Sequence, residues 1–473
     1  MKHKLLTTCL LAGLLTPAFA SANPEPTAYD SRSIGMGLTG VTFLERPAAL
    51  AMNPANLEGI KKIGFTFNFT NLLVNQTAPV QGPNTSVSSG LGYGPLPSGF
   101  LAGRIAPRVV FAGGIYIETG YGSSFKNVTC LDGDPVGPAP DYKPNNDTNQ
   151  GPGQCTNPQP QDLKVTFFVG EFAGGFSFRV HEKFWLGVAL RIPFSKQTAD
   201  LYQNVGAALG SFGYGRVKND LGGMGFPSPK IGLTWKPHKK VNVSLVYRMY
   251  SKISLSGTTE TSLLPGLVLN STATWNIPNA LSYGISYQAT SHVLLALEGR
   301  SQFHAAKKTG NPNQTVTATD PNGNLPDFVT VVPFGWKNVW SVKLGFEYRF
   351  TKDLLALRLG ANIAESATTG QFAQYFTPPP GLSGNLSGGL GFYWKDRNDP
   401  SIKDKYRLDI ATAFAFTKGN ISDAYIRTQA LVPGTNPAES VLLCSGEQVV
   451  RTGCPGNYKV LTYWASVSFT LQY

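Results

Sequence analysis

The chain has 473 residues, of which only 14% are charged, and its formal net charge is +12 at pH 7. Glycine is abundant at 52 residues, aromatic residues make up 11%, and the mean hydropathy is −0.09. The basic residues are scattered through turns and loops instead of clustering beside stacking aromatics, which argues against nucleic-acid binding. Beyond the N-terminus no apolar run approaches the ~18 residues of a transmembrane helix. This composition favours either a large β-sandwich or a transmembrane β-barrel.

Residues 1–22 have the pattern of a secretory signal peptide. Two lysines precede the apolar run Leu5–Leu15, and small residues at Ala18 and Ala20 form an A-x-A cleavage site. The run is too short to span a membrane as a helix. The sequence therefore predicts an exported protein whose mature chain meets an oxidising compartment.

The next segment, residues 23–60, lacks the patterns of the remaining chain. Its apolar residues come in short unphased groups, and Pro47 and Pro54 interrupt it. A segment this short cannot bury a core of its own. We therefore expect it to pack inside a larger unit.

Three glycines of this segment, Gly35, Gly37 and Gly40, spell the G-x-G-x-x-G fingerprint of dinucleotide-binding proteins. That motif works in a βαβ unit, where a buried strand precedes it and the N-terminus of a helix faces the pyrophosphate. Here Pro24 and Pro26 precede the motif, and no parallel α/β pattern follows. We therefore predict no cofactor.

Strands with period-2 alternation make up most of the remaining chain. In Val460–Tyr473 apolar side chains alternate with a second face that is polar except for Val460 and Trp464, and in Trp340–Phe350 the second face carries charges. Charges at every second position beside aromatics suit a wet lumen better than a dry core. Candidate strands begin near Lys62, Ser98, Val109, Leu163, Phe184, Ser228, Val241, Trp275, His292, Asn338, Asp353, Leu386, Lys405 and Val460. Their number is even, as a bacterial outer-membrane barrel requires.

The connections between these strands alternate between short turns and long loops. The short turns include 106–108, 180–183 and 236–240, and the long loops include 75–97, 120–162 and 195–227. Short turns at one end and long loops at the other are typical of outer-membrane barrels, whereas a sandwich gives no reason for the alternation. The predicted fold is all-β, a 14-stranded transmembrane antiparallel β-barrel over residues 61–473, with residues 23–60 placed to plug it.

The stretch NPANL at residues 53–57, preceded by glycines and small residues, resembles the N-terminal hatch of the FadL family of outer-membrane channels for hydrophobic compounds. The resemblance continues through Pro229–Gly257, Trp275–Phe303 and Trp340–Trp394. It departs at residues 45–47, Glu-Arg-Pro, where the family commonly has acidic and small residues.

This resemblance implies a fourteen-stranded barrel with a hatch inside its lumen. Hydrophobic substrates are captured by external loops, pass to an inner site beside the hatch and leave sideways through the wall. By this resemblance Asn53, Pro54 and Ala55 gate the channel, and Gly113 and Gly114 of the third strand mark a lateral opening. A simple bend that eases barrel curvature is an equal alternative for the two glycines.

A substrate site is predicted after the middle of the fifth strand. Arg191 has lumen parity and Lys196 follows it, so both are candidates to hold a carboxylate. The spacing in Ala199–Leu209 predicts a helix with Leu201 and Val205 on one face, as a groove for an acyl chain. The alternatives are cations that are simply solvated or paired, and a helix that packs as a lid.

Four cysteines remain once the signal peptide is removed. Cys130 and Cys155 lie in one long loop, and Cys444 and Cys454 lie in another. Three pairings are possible, and pairing within each loop needs no contact between distant loops. We expect disulfides 130–155 and 444–454, the first stabilising its loop by ~3 kcal/mol. Non-reducing peptide mapping checks this prediction, and a peptide joining Cys130 to Cys444 contradicts it.

The histidines are spaced in a way that makes no metal set, and no local motif assembles a Ser-His-Asp group. We therefore predict neither an enzyme nor a metal site. The predicted function is passive uptake of long-chain fatty acids or aromatic hydrocarbons by a monomer in the outer membrane of a Gram-negative bacterium. Membrane lipid and the outer-membrane assembly machinery, which reads the terminal aromatic Tyr473, are the other expected partners. A structural or adhesive barrel and a general porin are the alternatives.

Overall fold

The computed structural model describes residues 29–80, 86–128, 161–204, 214–262, 264–311, 313–325, 327–350, 354–394, 405–421, 425–427, 449–451 and 456–473. The predicted signal peptide, the four loop cysteines and Val205 lie outside these ranges. Among the described residues, no helix is both long enough and apolar enough to cross a membrane.

Short helices open the described chain, and β-strands make up most of the rest. The helices are α1 Ser31–Gly35, α2 Ala49–Met52 and two 3₁₀ helices, Pro54–Gly59 and Gly370–Phe372. The strands are β1 Ile63–Ala78, β2 Val87–Ala106, β3 Val109–Val128, β4 Gln161–His181, β5 Phe184–Asn204, β6 Tyr214–Gly225, β7 Ser228–His238, β8 Val241–Arg248, β9 Ser251–Thr261, β10 Val268–Ile277, β11 Ala280–Gln288, β12 Val293–Gln302, β13 Asn313–Thr319, β14 Phe328–Pro333, β15 Val339–Arg349, β16 Leu355–Glu365, β17 Leu382–Trp394, β18 Tyr406–Ile421, β19 Tyr425–Arg427, β20 Val449–Arg451 and β21 Gly456–Gln472.

Within the described residues the strands close into a 14-strand antiparallel barrel, which confirms the predicted fold class. Closure is made by β1, which pairs with β2 on one side and with β21 on the other, from Gly64 opposite Gln472 to Thr77 opposite Lys459. Three wall positions each consist of two strands, β6 with β7, β8 with β9, and β10 with β11. Pro278 lies at the last of these interruptions. Proline has no N–H to donate to a ladder, so a break between strands is expected at this residue. The hairpin β13–β14 extends the wall beside β10.

Side chains alternate between the lumen and the outer surface along the wall strands. In β21, Trp464 and Thr470 are buried in the lumen, whereas Tyr463 and Phe469 are exposed on the outer surface. Large apolar side chains are exposed over much of this outer surface, and Leu344 is 54% exposed. Apolar area left in water costs about 25 cal/mol per Å². The outer surface therefore suits lipid, and the polar face suits the lumen.

Residues 29–60 pack inside the lumen. Helix α1 contacts β16, β17, β18 and β21, while the 3₁₀ helix after α2 contacts β3, β4, β5 and β7. The wall makes room for the segment with glycines. A Cβ at Gly187 would overlap the backbone of Pro54, and one at Gly360 would overlap that of Gly37. The backbone of the segment therefore packs directly against the wall at these glycines.

Residues 199–204 form a strand, so the helix predicted over 199–209 is wrong for this part. They end β5, where Ala199 lies opposite Val165 of β4 and Asn219 of β6. Two flanking ladders satisfy the backbone on both sides, and this tertiary context overrides the local helical spacing. The predicted long loop after the fifth wall strand is correspondingly shorter. Strands β4 and β5, with 21 residues each, extend well beyond the ~9–11 residues that cross a bilayer.

Candidate functional site

The ladder between β2 and β3 stops partway along both strands. It runs from Ala106 opposite Val109, beside the short turn that joins them, to Gly99 opposite Ile115. Beyond this point β2 continues to pair with β1, and β3 continues to pair with β4. The half of the wall nearer the long loops, called the loop end below, therefore has a gap between β2 and β3.

Gly113 and Gly114, where the sequence predicted a lateral opening, lie directly below this gap. Gly113 pairs with Leu101 and Gly114 with Phe100, so both belong to the intact ladder. A Cβ at Gly114 would overlap the Phe100 ring, whereas one at Gly113 would meet only Ala173 O, at 3.8 Å. The two glycines thus border the gap.

The loop-end parts of β3 and β4 lie inside the wall formed by their neighbours. Ile117 and Phe168 point away from the lumen side of their own strands. They nevertheless pack against an apolar cluster inside the barrel, which combines lumen-facing side chains of β1, β2, β18 and β21 with Ile34 and Leu38 of the N-terminal segment. That cluster includes Leu72, Leu96, Ala413 and Trp464. The displacement begins with a bulge at Glu118, the residue of β3 between the paired Ile117 and Thr119. The wall therefore overlaps itself beside the gap.

Aromatic side chains fill the lumen near these displaced strands. This lumen aromatic cluster consists of four buried residues, Phe167, Trp275, Phe334 and Trp336. The ring centroid of Trp275 lies 4.6 Å from that of Phe167, 5.6 Å from that of Phe334 and 5.3 Å from that of Trp336. Trp336 Nε1 and His304 Nδ1 lack hydrogen-bond partners among the described residues, and the two rings lie 5.2 Å apart. An apolar site with ring faces and a few polar atoms suits a hydrophobic ligand.

Arg191 faces the lumen, as its parity predicts, but protein groups already engage it. Its Nη1 donates to Glu171 Oε1 at 2.5 Å, and its Nη2 donates to Ser228 Oγ and Met249 O, both at 2.6 Å. Met249 lies in the interruption between β8 and β9, so Arg191 supplies a donor that the ladder lacks there. A ligand carboxylate would have to displace Glu171, which favours the alternative of a paired cation.

Lys196 does not join Arg191 in the lumen. It lies five residues further along β5, and an odd offset in a strand places a side chain on the opposite face. There Lys196 pairs with Asp220, and both side chains are about half exposed. Leu201, at an even offset from Arg191, is half-buried and packs against the lumen aromatic cluster. Val205 lies outside the described residues.

Glu118, the bulge residue of β3, connects three parts of the molecule. It accepts a hydrogen bond from Tyr29 Oη at 2.5 Å and one from Arg248 Nη1, and Arg300 Nη2 lies 3.6 Å from its Oε1. The Tyr29 ring also lies edge-on to Tyr116, with centroids 4.9 Å apart. The N-terminal segment therefore contacts β3 at the base of the gap. The alternation of residues along β3 did not identify Glu118, because a bulge is visible only in the pairing with the neighbouring strand.

The Asn-Pro-Ala stretch lies against the wall, on β5 and β7. Asn53 Oδ1 accepts from Ala55 N at 3.1 Å, while Asn53 Nδ2 donates to Val41 O and to Thr234 Oγ1, both at 2.9 Å. Pro54 occupies the first position of the 3₁₀ helix, where its missing N–H has no role. The three residues thus join a turn of the N-terminal segment to the seventh strand.

A buried ion network holds the N-terminal segment to β15, β16 and β18. Arg46 Nη1 lies 3.0 Å from Asp30 Oδ2 and 2.7 Å from Asp409 Oδ2, and none of these side chains is exposed. Arg358 lies 2.7 Å from both Asp409 Oδ1 and Glu347 Oε2. The sequence hinted at these residues, since Arg46 stands where the FadL pattern is broken and Glu347 is one of the alternating charges of its strand. Which charge meets which was not readable from spacing.

The acids beside the gap are committed to arginine partners, Glu118 to Arg248 and Glu171 to Arg191. In the part of the chain that the structure describes, no group of three or more His, Cys, Asp or Glu side chains is placed to hold a metal ion. The arrangement places a buried aromatic cluster next to an interrupted wall.

Comparison with known proteins supports the same architecture. No family model and no curated protein matches the chain. A FadL homologue of Pseudomonas aeruginosa superposes with a TM-score of 0.68 at 15% identity, over 96% of this chain and 100% of that one. The toluene transporters TbuX of Ralstonia pickettii (TM-score 0.64, 15% identity, 94% and 99% covered) and TodX of Pseudomonas putida (0.63, 13%, 97% and 100%) are also similar. At these identities the likeness establishes a shared fold, and it confirms the resemblance to FadL-type barrels at that level.

Proposed function

We propose that this FadL-like barrel is an outer-membrane channel that takes up hydrophobic molecules passively and releases them sideways through its wall. The observation that carries the proposal is the gap between β2 and β3, because it adjoins an apolar lumen. Solved barrels of similar fold include transporters whose names specify toluene. The substrates proposed here are accordingly aromatic hydrocarbons or long-chain fatty acids.

Sideways release follows from the low solubility of such molecules in water. Each methylene moved from an apolar site into water costs about 0.8 kcal/mol. A substrate held by the ring faces of the lumen aromatic cluster is therefore more stable in the adjoining bilayer than in the aqueous compartment beyond the hatch. The gap is the proposed point of exit, because apolar side chains of the lumen pack beside it.

The segment 23–60 is proposed to act as a hatch that blocks the direct aqueous route. Its Asn53-Pro54-Ala55 turn is proposed to tune gating without holding the barrel together. Replacing Asn53 and Pro54 by alanine is expected to keep the heat-modifiable folded band on an unheated gel, because the Arg46 ion pairs remain. Uptake should change by several-fold, since the loss of one capped turn alters about 1 kcal/mol of local order. Loss of the folded band would instead make this turn a structural element.

The lower border of the gap offers a matched pair of glycines. Gly114→Val is expected to slow uptake because its Cβ overlaps the Phe100 ring and lies 2.8 Å from Gly99 O. Displacement of Phe100 should cost about 1–3 kcal/mol, as overpacking typically does. If this strain raises the barrier for release of the substrate, the uptake rate should fall roughly tenfold or more. Gly113→Val is the control, since its Cβ has ordinary contacts only. Equal uptake rates for Gly114→Val and Gly113→Val would show that the exit does not lie beside Phe100.

The proposal is tested directly by ligand binding to the purified barrel. Toluene or a long-chain fatty acid should quench or shift tryptophan fluorescence, because Trp275 and Trp336 belong to the lumen aromatic cluster. Trp336→Phe keeps an aromatic ring and should reduce the signal while preserving binding measured by extraction. If neither ligand binds and the barrel conducts ions freely in planar bilayers, the protein is a porin and the proposal fails.

A further inference from the structure

Strand β2 contains two prolines, Pro95 and Pro97, well inside its 20 residues. Proline has no N–H to give to a ladder, and within sheets it is confined to edges and bulges. In a strand, successive N–H groups point to opposite edges, so a spacing of two puts both missing donors on the same edge of β2. Which neighbour that edge faces can be read from the ladder itself.

The missing donors face β3. Arg104 N donates to Lys62 O at 2.6 Å, on the β1 side of β2. The β1–β2 register runs without a shift from Gly103 opposite Ile63 to Leu91 opposite Asn75. Even-numbered residues of β2 therefore donate toward β1 throughout this stretch, and odd-numbered residues, including both prolines, face β3.

The ladder with β3 ends at the first of these prolines. Its last pair is Gly99 opposite Ile115, and the next two residues of β2 that face β3 are Pro97 and Pro95. In the same register Pro97 would oppose Ile117, the residue at which β3 enters its bulge. Joining the strands here would leave Ile117 O without a donor from β2, and a buried carbonyl without a partner is unfavourable.

We infer that Pro95 and Pro97 hold the gap between β2 and β3 open, so that the opening in the wall is a permanent feature that needs no movement of the N-terminal segment. This inference rests on the proposed function, because it assigns to the gap the role of exit. It also changes the emphasis given to Gly113 and Gly114. The glycines allow close packing at the border, whereas the prolines remove the hydrogen bonds that would close the wall above it.

The test restores the two donors. In a P95V/P97V variant the ladder can extend toward the loop end, because valine supplies an N–H and favours strands. Amide exchange of the β3 peptide that contains Ile117 should slow, and the initial rate of toluene uptake by cells should fall by roughly 30-fold, the population shift expected from two new backbone hydrogen bonds. Toluene binding to the purified barrel should be unchanged.

The matched control is P229V, because Pro229 is also a half-buried proline of a wall strand but lies in β7, away from the gap. It should leave both readouts unchanged. The single variant P97V serves if the double variant does not give a heat-modifiable band.

Each outcome has one meaning for the inference. Slower exchange with slower uptake in the proline variants alone supports it. Unchanged exchange shows that the prolines do not set the gap, and slower exchange with normal uptake shows that the gap is not the exit, so either result overturns it. If the unaltered protein gives no toluene uptake above cells without the channel, the proposed function fails, whatever the exchange shows.

Discussion

Replacing Arg46 by alanine is expected to lower the free energy of unfolding by about 3–5 kcal/mol, the range measured when one partner of a buried ion pair is removed. Arg46 joins Asp30 of its own segment to Asp409 of β18, and all three side chains are fully buried. Without the guanidinium Asp30 loses its ion pair with Arg46, while Asp409 keeps its ion pair with Arg358. Urea-induced unfolding in phospholipid vesicles, followed by loss of the heat-modifiable band, measures the change.

The control for this experiment is Arg216→Ala. Arg216 makes a geometrically similar pair with Asp200, at 2.6 Å, but both side chains are about one-third exposed. An exposed pair of this kind contributes roughly 0–1 kcal/mol, because water and salt screen it. If Arg46→Ala were no more destabilising than Arg216→Ala, the N-terminal segment would not be locked to the wall by this network.

Replacing Gly360 by valine is expected to expel the N-terminal segment from the lumen and open an aqueous channel. A Cβ at Gly360 overlaps Gly37 N and Met36 C, so a side chain cannot enter while the segment stays in place. The overlapping atoms belong to the backbone and cannot rotate away, so keeping the segment in place would cost well above the ~1–3 kcal/mol of ordinary overpacking. Planar-bilayer recordings should show a stable ion conductance that the unaltered protein lacks, and residues 29–60 should become sensitive to added protease.

Gly174→Val is the matched control for this change. Its side chain would point outward from β4, where the nearest atom to a Cβ is Ala112 O at 3.9 Å. This variant should remain closed to ions and resistant to protease. A closed, protease-resistant Gly360→Val barrel would mean that the segment does not plug the lumen at this level.

The alternation of β21 shows what the sequence could predict. Successive side chains of a strand point to opposite faces, so the period-2 spacing of Val460–Tyr473 is enough to assign each side chain to the lumen or to the outer surface. The same rule placed Arg191 in the lumen, and continued along β5 it would also have placed Lys196 outside. The error there came from ending the strand early, because the residues that extend it, Val165 and Asn219 opposite Ala199, lie far away in sequence.

Features that depend on two distant segments could not be read from spacing. The Arg46–Asp409 pair joins residues separated by 363 positions, and nothing local in either stretch identifies the other. The gap was expected at Gly113 and Gly114 because the resemblance implied a lateral opening in this strand and glycines can break a strand ladder. Its limit instead coincides with Pro97, whose meaning depends on which edge of β2 faces β3, and that is fixed only by the register with β1. Both the residue type, proline, and the edge of β2 toward which its missing N–H would point are needed to explain where the ladder ends.

We propose that hydrophobic molecules cross the outer membrane through this barrel. The decisive measurement is the initial uptake of radiolabelled toluene and of a labelled long-chain fatty acid by Gram-negative cells that lack channels of this type and express the protein from a plasmid. We expect uptake of at least one of the two above the empty-plasmid control, with no increase in the entry of a hydrophilic solute of similar size. Uptake equal to that control, or faster entry of the hydrophilic solute alone, would contradict it.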